Sequence, residues 1–168
     1  MTLDDADFDA ITEADLAAAI ADRLKPGLKI AFAPAAYEHP FVKEISSLAN
    51  TRGGLMLVGI AEQDGAATGF APLTGSADDE LRRLATRVQT GIMPPIPGVL
   101  VRAIPLATGG IVVAFHVPAS RQRPHRVGDP RDPRGSLVYL RNGQGFADSW
   151  GMGAWTEQNH GITVFALL

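Results

Sequence analysis

Six side chains in this sequence have the chemistry to grip an anion: Arg52, Arg121, Arg123, His125, Arg126 and Arg141. Three of the arginines crowd around Pro124-His125. A guanidinium pairs with phosphate bidentately and stacks on bases, so arginine suits this work better than lysine. Arg52 lies inside a second candidate, the turn Asn50-Thr51-Arg52-Gly53-Gly54. Successive backbone N–H groups in such a turn can hold an anion without a side-chain motif. Asn50, Gly53 and Gly54 also have a structural explanation, because they end a helix and let the chain reverse into a buried strand. The two readings are compatible. The arginines around His125 have their own alternative as solvated loop residues, and Arg141 has one as an internal salt bridge to Glu44 or Glu62.

Other chemistries find little support. There is no cysteine, which excludes disulfides, thiolate metal sites and cysteine nucleophiles. His39, His116, His125 and His160 lack metal-ligand spacing, and His116 reads as a hydrogen-bonded residue late in an apolar strand. No G-x-x-x-x-G-K-[ST], G-x-S-x-G or H-E-x-x-H is present, and no cofactor is implied. Ser120 stands near His125 without an ordered acid or a nucleophile turn. Trp150 and Trp155 read as packing or interface residues.

The 168 residues suit one domain with a real core. The net charge of −3 hides an asymmetry. Residues 1–22 carry seven acids and no Lys or Arg, whereas residues 121–141 carry six arginines against two aspartates. This pattern can mark an anion-binding face on an acidic protein. The overall acidity argues against strong non-specific duplex binding, which draws on phosphate neutralisation, and leaves a modest local contact with RNA or DNA. The acidic N-terminus lacks a signal-peptide layout, and no apolar run approaches the roughly 20 residues of a membrane span. The expectation is a cytoplasmic protein with no membrane partner.

The elements that would position these residues follow from periodicity. Thr12 and Asp15 form a capping box, with Ile11 and Leu16 as its hydrophobic staple. Leu16, Ile20 and Leu24 make the stripe of a first helix that Pro26-Gly27 stops. Leu28 to Phe32 reads as a strand. A second helix runs from about Pro40 to Ala49, with Phe41, Ile45 and Leu48 inward and Lys43, Glu44 and Ser47 outward. Leu55 to Ile60 reads as a strand buried on both faces, where Gly59 marks a bulge or a close backbone approach. Gln63-Asp64-Gly65 turns the chain into a strand reaching Phe70. Ser76 with Asp79 caps a third helix whose stripe is Leu81, Leu84 and Val88. Val99–Ile104 and Ile111–Val117 pair across Thr108-Gly109-Gly110. Pro118 to Gly135 reads as a long functional or mobile loop. Leu137–Arg141 is a strand turned by Asn142-Gly143, and Ile162–Leu168 looks like another.

Three stretches lie in a telling order: Glu44 to Ile60 with Gly69-Phe70, Val112 to His125, and Val138 to Gly143. They contain an Ala-Asn-Thr-x-Gly-Gly hinge, a V-P-x-S-x-x-x-P-H segment and a closing Y-x-R-x-G strand. Together they resemble the AlbA_2 domain, the Schlafen-type AlbA-like domain also called divergent AAA-4, over roughly residues 12–147. Residues 1–11 would be an acidic segment and 148–168 a C-terminal extension. The resemblance implies an α+β fold: a single domain with a mixed, mainly antiparallel β-sheet packed by about three helices. It also implies a tie to RNA or DNA. Some Schlafen members cleave structured RNA with three carboxylates, two in an E-x4-E pair that runs into E-(F/Y)-K and one after the hinge strand. Here Ala31 and Ala33 stand where Glu and Lys would be, Pro26 stands at the first acid, and only Glu62 remains as a residual acid. Clustered carboxylates are what hold hard cations for phosphodiester cleavage, and one Glu does not make a cluster.

Three functions follow. The first is a catalytically silent nucleic-acid-binding module using Arg52, Arg121, Arg123, His125, Arg126 and Arg141. The second is a homo-oligomer or protein-assembly unit joined through the apolar C-terminal segment, whose unsatisfied strand edge would invite a partner chain. The third is an enzyme with a rearranged acid set from Glu38, Glu44, Glu62 and Asp64.

Overall fold

One helix is enclosed between two β-sheets. The computed structural model describes residues 3, 7–35, 40–129, 132–141, 154–157 and 162–167. In chain order they form α1 (Glu13–Ala21), β1 (Ile30–Ala33), α2 (Pro40–Asn50), β2 (Gly54–Val58), β3 (Ile60–Gln63) and β4 (Ala66–Phe70). Then come α3 (Ala77–Gly91), β5 (Ile92–Met93), β6 (Leu100–Pro105), β7 (Ile111–Val117) and β8 (Arg126–Asp129). The last are β9 (Asp132–Arg141), β10 (Ala154–Glu157) and β11 (Ile162–Leu167). This is the mixed, mainly antiparallel α+β architecture the resemblance implies, divided over more than one sheet.

The first sheet has the order β1-β2-β7-β6, with β1 and β2 parallel and the other pairs antiparallel. Its register sorts side chains by the period of two. One face carries the rows Ala31–Met56–Phe115–Val101 and Ala33–Val58–Val113–Ala103, against which α2 and α3 pack. The other face carries Phe32–Leu57–Ala114–Arg102 and Ile30–Leu55–His116–Leu100, joined by Ile11 and Leu16 from the α1 end. The second sheet, β10-β11-β9-β8-β5, is antiparallel throughout and covers the opposite side of α2 through β8 and β9. A small β3–β4 hairpin forms a third sheet and packs against β1 and α1.

The second sheet overturns three expectations. Glu44 and Ser47 are buried, not outward, because α2 has a sheet on each side. The stretch 118–135 is not one long loop, since β8 and the start of β9 pair within it. The C-terminal segment β11 is an inner strand between β10 and β9, so it offers no free edge of its own. Asn142-Gly143, Trp150, Glu38, His39 and His160 lie outside the described residues, and Trp155 is described only by its backbone in β10.

Local signals held at α1. Thr12 and Asp15 form the full capping box, and the staple residues Ile11 and Leu16 are both buried. The Thr12 hydroxyl donates to the Asp15 carboxylate, and the Thr12 N–H adds a second bond. These two bonds hold the Asp15 carboxyl below its ordinary value of 3.8. The helix ends at Ala21, before Pro26-Gly27, because Arg23 takes a left-handed φ of 52°. The strand read from Leu55 to Ile60 breaks at Gly59, whose φ is +117° and whose missing Cβ leaves room for the Ile111–Val112 backbone. Ser76 sits at the N-cap of α3 without a side-chain capping bond.

Candidate nucleic-acid interface

The hinge between α2 and β2 depends on two glycines. Gly53 has φ +70°, and a Cβ there would stand 2.5 Å from the Ala119 nitrogen. Gly54 has φ +141°, and its Cβ would stand 2.0 Å from the Lys29 carbonyl oxygen. No side chain fits either position. The Thr51 and Gly53 N–H groups both bond the Leu48 carbonyl and close the helix, which takes two of the amides an anion nest would need.

Asn50, the last residue of α2, faces inward. Its Oδ1 accepts from the His125 N–H at 2.7 Å, and its Nδ2 donates to the His125 carbonyl at 2.9 Å and the Tyr139 carbonyl at 3.0 Å. Ser46 adds a bond from its hydroxyl to the same His125 carbonyl. One amide therefore ties α2 to β9 and to the start of β8. The Ser120 N–H bonds the Ala49 carbonyl, and Arg123 reaches the Thr51 carbonyl at 3.3 Å. The arginine-bearing segment thus runs beside the hinge turn.

Two expected anion ligands are interior groups. Arg141 is buried and pairs with the buried carboxylate of Glu44, while also donating to the Gly27 and Ile30 carbonyls. Its backbone N–H donates to the Thr51 hydroxyl. This is the salt-bridge alternative, and it removes Arg141 from any phosphate-binding surface. His125 is fully buried, with Nδ1 2.7 Å from the Pro94 carbonyl. A carbonyl only accepts, so Nδ1 carries the proton, and Nε2 has no hydrogen-bond partner among the described residues. His125 is held in place by its own backbone and cannot contact a nucleic acid from the interior.

The remaining four arginines, Arg52, Arg121, Arg123 and Arg126, are exposed. Ser120 is buried, and its hydroxyl accepts from the Gln122 N–H, making it a turn residue.

Ala31 and Ala33 are buried in the α2-facing core, Pro26 is half-buried, and Glu62 is half-buried on β3. Of the alternative acid set, Glu44 is committed to Arg141, and Asp64 sits in the exposed β3–β4 turn. Among the described residues no three His, Asp or Glu side chains gather to hold a metal ion. No helix among them is long and apolar enough to cross a membrane.

A cleft of about 450 Å³ adjoins the hinge, and sequence reasoning missed it. Its floor is Leu55, His116 and Leu100, one cross-strand row of the first sheet. Lys29 and Arg52 line one part, and Asp7, Phe8 and Asp9 of a 3-10 turn (Phe8–Ala10) line another. His116 lies late in the apolar strand β7 as expected, but its side chain is exposed and stands against the Phe8 ring at 5.8 Å. Arg102 was also missed. Its guanidinium donates to the Phe8, Asp9 and Ile11 carbonyls and so fastens the turn to the sheet. The only early signal was an arginine on the apolar face of a strand.

The fold and this buried hinge network define a class: an α+β domain in which a helix-ending Asn-Thr-x-Gly-Gly turn is locked by two later strands. The chain belongs to the Schlafen AlbA_2 family, whose profile matches residues 12–146. Its fold resembles the N-terminal domain of a RecG-related protein from Nitrosomonas europaea, with a TM-score of 0.58 at 16% identity over 89% of this chain and 98% of that one. The DIP2311 protein from Corynebacterium diphtheriae aligns at a TM-score of 0.46 and 20% identity, over 77% of this chain and 25% of that one. No curated protein matches the chain.

Proposed function

We propose that this domain binds RNA or DNA as a recognition or regulatory module, without nuclease chemistry of its own. The observation that carries the reading is the adjacency of the hinge turn and the 118–126 segment, with Arg52, Arg121, Arg123 and Arg126 exposed and Arg123 bonded to the hinge. Membership of the AlbA_2 family and the RecG-related neighbour point toward nucleic-acid work. The buried alanines at 31 and 33 leave no carboxylate on β1. With a net charge of −3, binding rests on this local face and is modest.

The test is fluorescence anisotropy with single-stranded and structured RNA and DNA across a salt series. Binding should weaken with salt, and Arg121→Ala, Arg123→Ala and Arg126→Ala together should flatten the log–log slope by about 2 for a single strand. Absence of binding at low salt, or binding indifferent to the triple substitution, would sink the reading.

A further inference from the structure

The acidic N-terminal turn lies beside the hinge and its exposed Arg52. Asp7 and Asp9 share one cleft with Lys29, Arg52 and His116. Arg52 belongs both to this cleft and to the hinge turn that Arg123 touches, so the cleft continues the arginine face. The segment is also the most acidic in the chain, with seven acids and no base in residues 1–22. We propose that the turn is an intramolecular competitor: Asp7 and Asp9 hold the ground at Lys29, Arg52 and His116, and a nucleic-acid strand gains a phosphate contact there by displacing them. This rests on the nucleic-acid reading above.

The way the turn is fastened suits displacement. Among the described residues its backbone reaches no strand backbone, and its carbonyls are held by the Arg102 side chain. Phe8 is only half-buried, with the Arg102 guanidinium 5.8 Å from its ring. A single 3-10 turn of this kind has few cooperative bonds and belongs to the low-stability end of a fold. Anchoring begins one residue further on, at the buried Ile11 and the Thr12 cap. Lifting the turn therefore need not disturb α1. Asp7 and Asp9 are themselves exposed, and the side-chain bond that Asp7 accepts from the Asp9 N–H is one that asparagine can also make.

The test is the double substitution Asp7→Asn with Asp9→Asn in the full chain, probed with a short single-stranded oligonucleotide. Affinity at low salt should rise roughly three- to ten-fold, and the salt slope should steepen by about 0.7 to 1.4, as one or two more phosphates are engaged. Adding Arg52→Ala should erase the gain. The control is Asp64→Asn with Asp78→Asn, two exposed acids outside the cleft that change net charge equally. An equal gain in the control, or a gain that survives Arg52→Ala, would overturn the competitor. If the original chain binds and the Asp7/Asp9 variant binds no better, the competitor falls and the arginine face stands. If neither chain binds, both fall.

Discussion

Asn50 holds the N–H and the carbonyl of His125 with the two ends of one buried amide, across 75 residues of sequence. The hinge asparagine is thus a clamp between halves of the domain. Asn50→Ala would leave the His125 N–H and the Tyr139 carbonyl buried without these partners. A loss of about 2–4 kcal/mol is expected in urea unfolding. Asn50→Asp should do no better, since a carboxylate cannot donate to the Tyr139 carbonyl; a variant within about 0.5 kcal/mol of the original chain would refute the clamp.

The Arg141–Glu44 pair predicts a larger effect. Removing one partner of a buried pair strands the other charge, at about 3–5 kcal/mol. Arg141→Ala should therefore unfold at markedly lower denaturant than Arg121→Ala, which removes an exposed guanidinium. Equal midpoints for the two would show that Arg141 is not interior.

Gly54 predicts intolerance of the smallest change. A methyl group 2.0 Å from the Lys29 carbonyl oxygen must push β1 away from β2 or reshape the hinge. Gly54→Ala should express poorly or lose cooperative melting, whereas Gly69→Ala, where a Cβ meets nothing within 4 Å, should melt near the original temperature.

The α1 cap predicts an acid-side effect. Because its bonds from Thr12 depress the Asp15 pKa, the cap contributes fully above about pH 4 and is lost as pH falls through that depressed value. Carbon-detected NMR titration should place the Asp15 midpoint below 3.8. Thr12→Ala should bring it most of the way back, because the hydroxyl is the larger cause. A midpoint unmoved by that substitution would contradict the assignment.

Legibility in the sequence followed the range of the interaction. The Thr12–Asp15 box, the glycine hinge and the β6–β7 hairpin are local, and their residues announce them. The burial of Glu44 and Ser47 is not local. A helix with charge and hydroxyl opposite its apolar stripe looks like a surface helix until β9, most of the domain later, covers that face. The candidate site divided on the same line. Exposure of Arg121, Arg123 and Arg126 agrees with their loop-like surroundings, while the interior placement of Arg141 and His125 depends on β8 and β9 pairing. Prolines and glycines between 118 and 135 hid those strands. The cleft was invisible because it joins Phe8, Lys29, Arg52 and His116 from four separate stretches.

The enclosure of α2 between two sheets has a consequence for synthesis on the ribosome. Emerging from the exit tunnel, α2 meets β2 within a few residues, yet the partner of Glu44 is 97 residues further along. Until β9 has been made, Glu44 lacks its Arg141 ion pair and the Asn50 amide lacks the Tyr139 carbonyl. Domains with such distant pairings acquire their final order late, and the waiting intermediate is the one exposed to aggregation and to chaperones. Nascent chains stalled before residue 141 should accordingly be protease-sensitive throughout, and protection should arrive in one step once the closing strand is free of the tunnel.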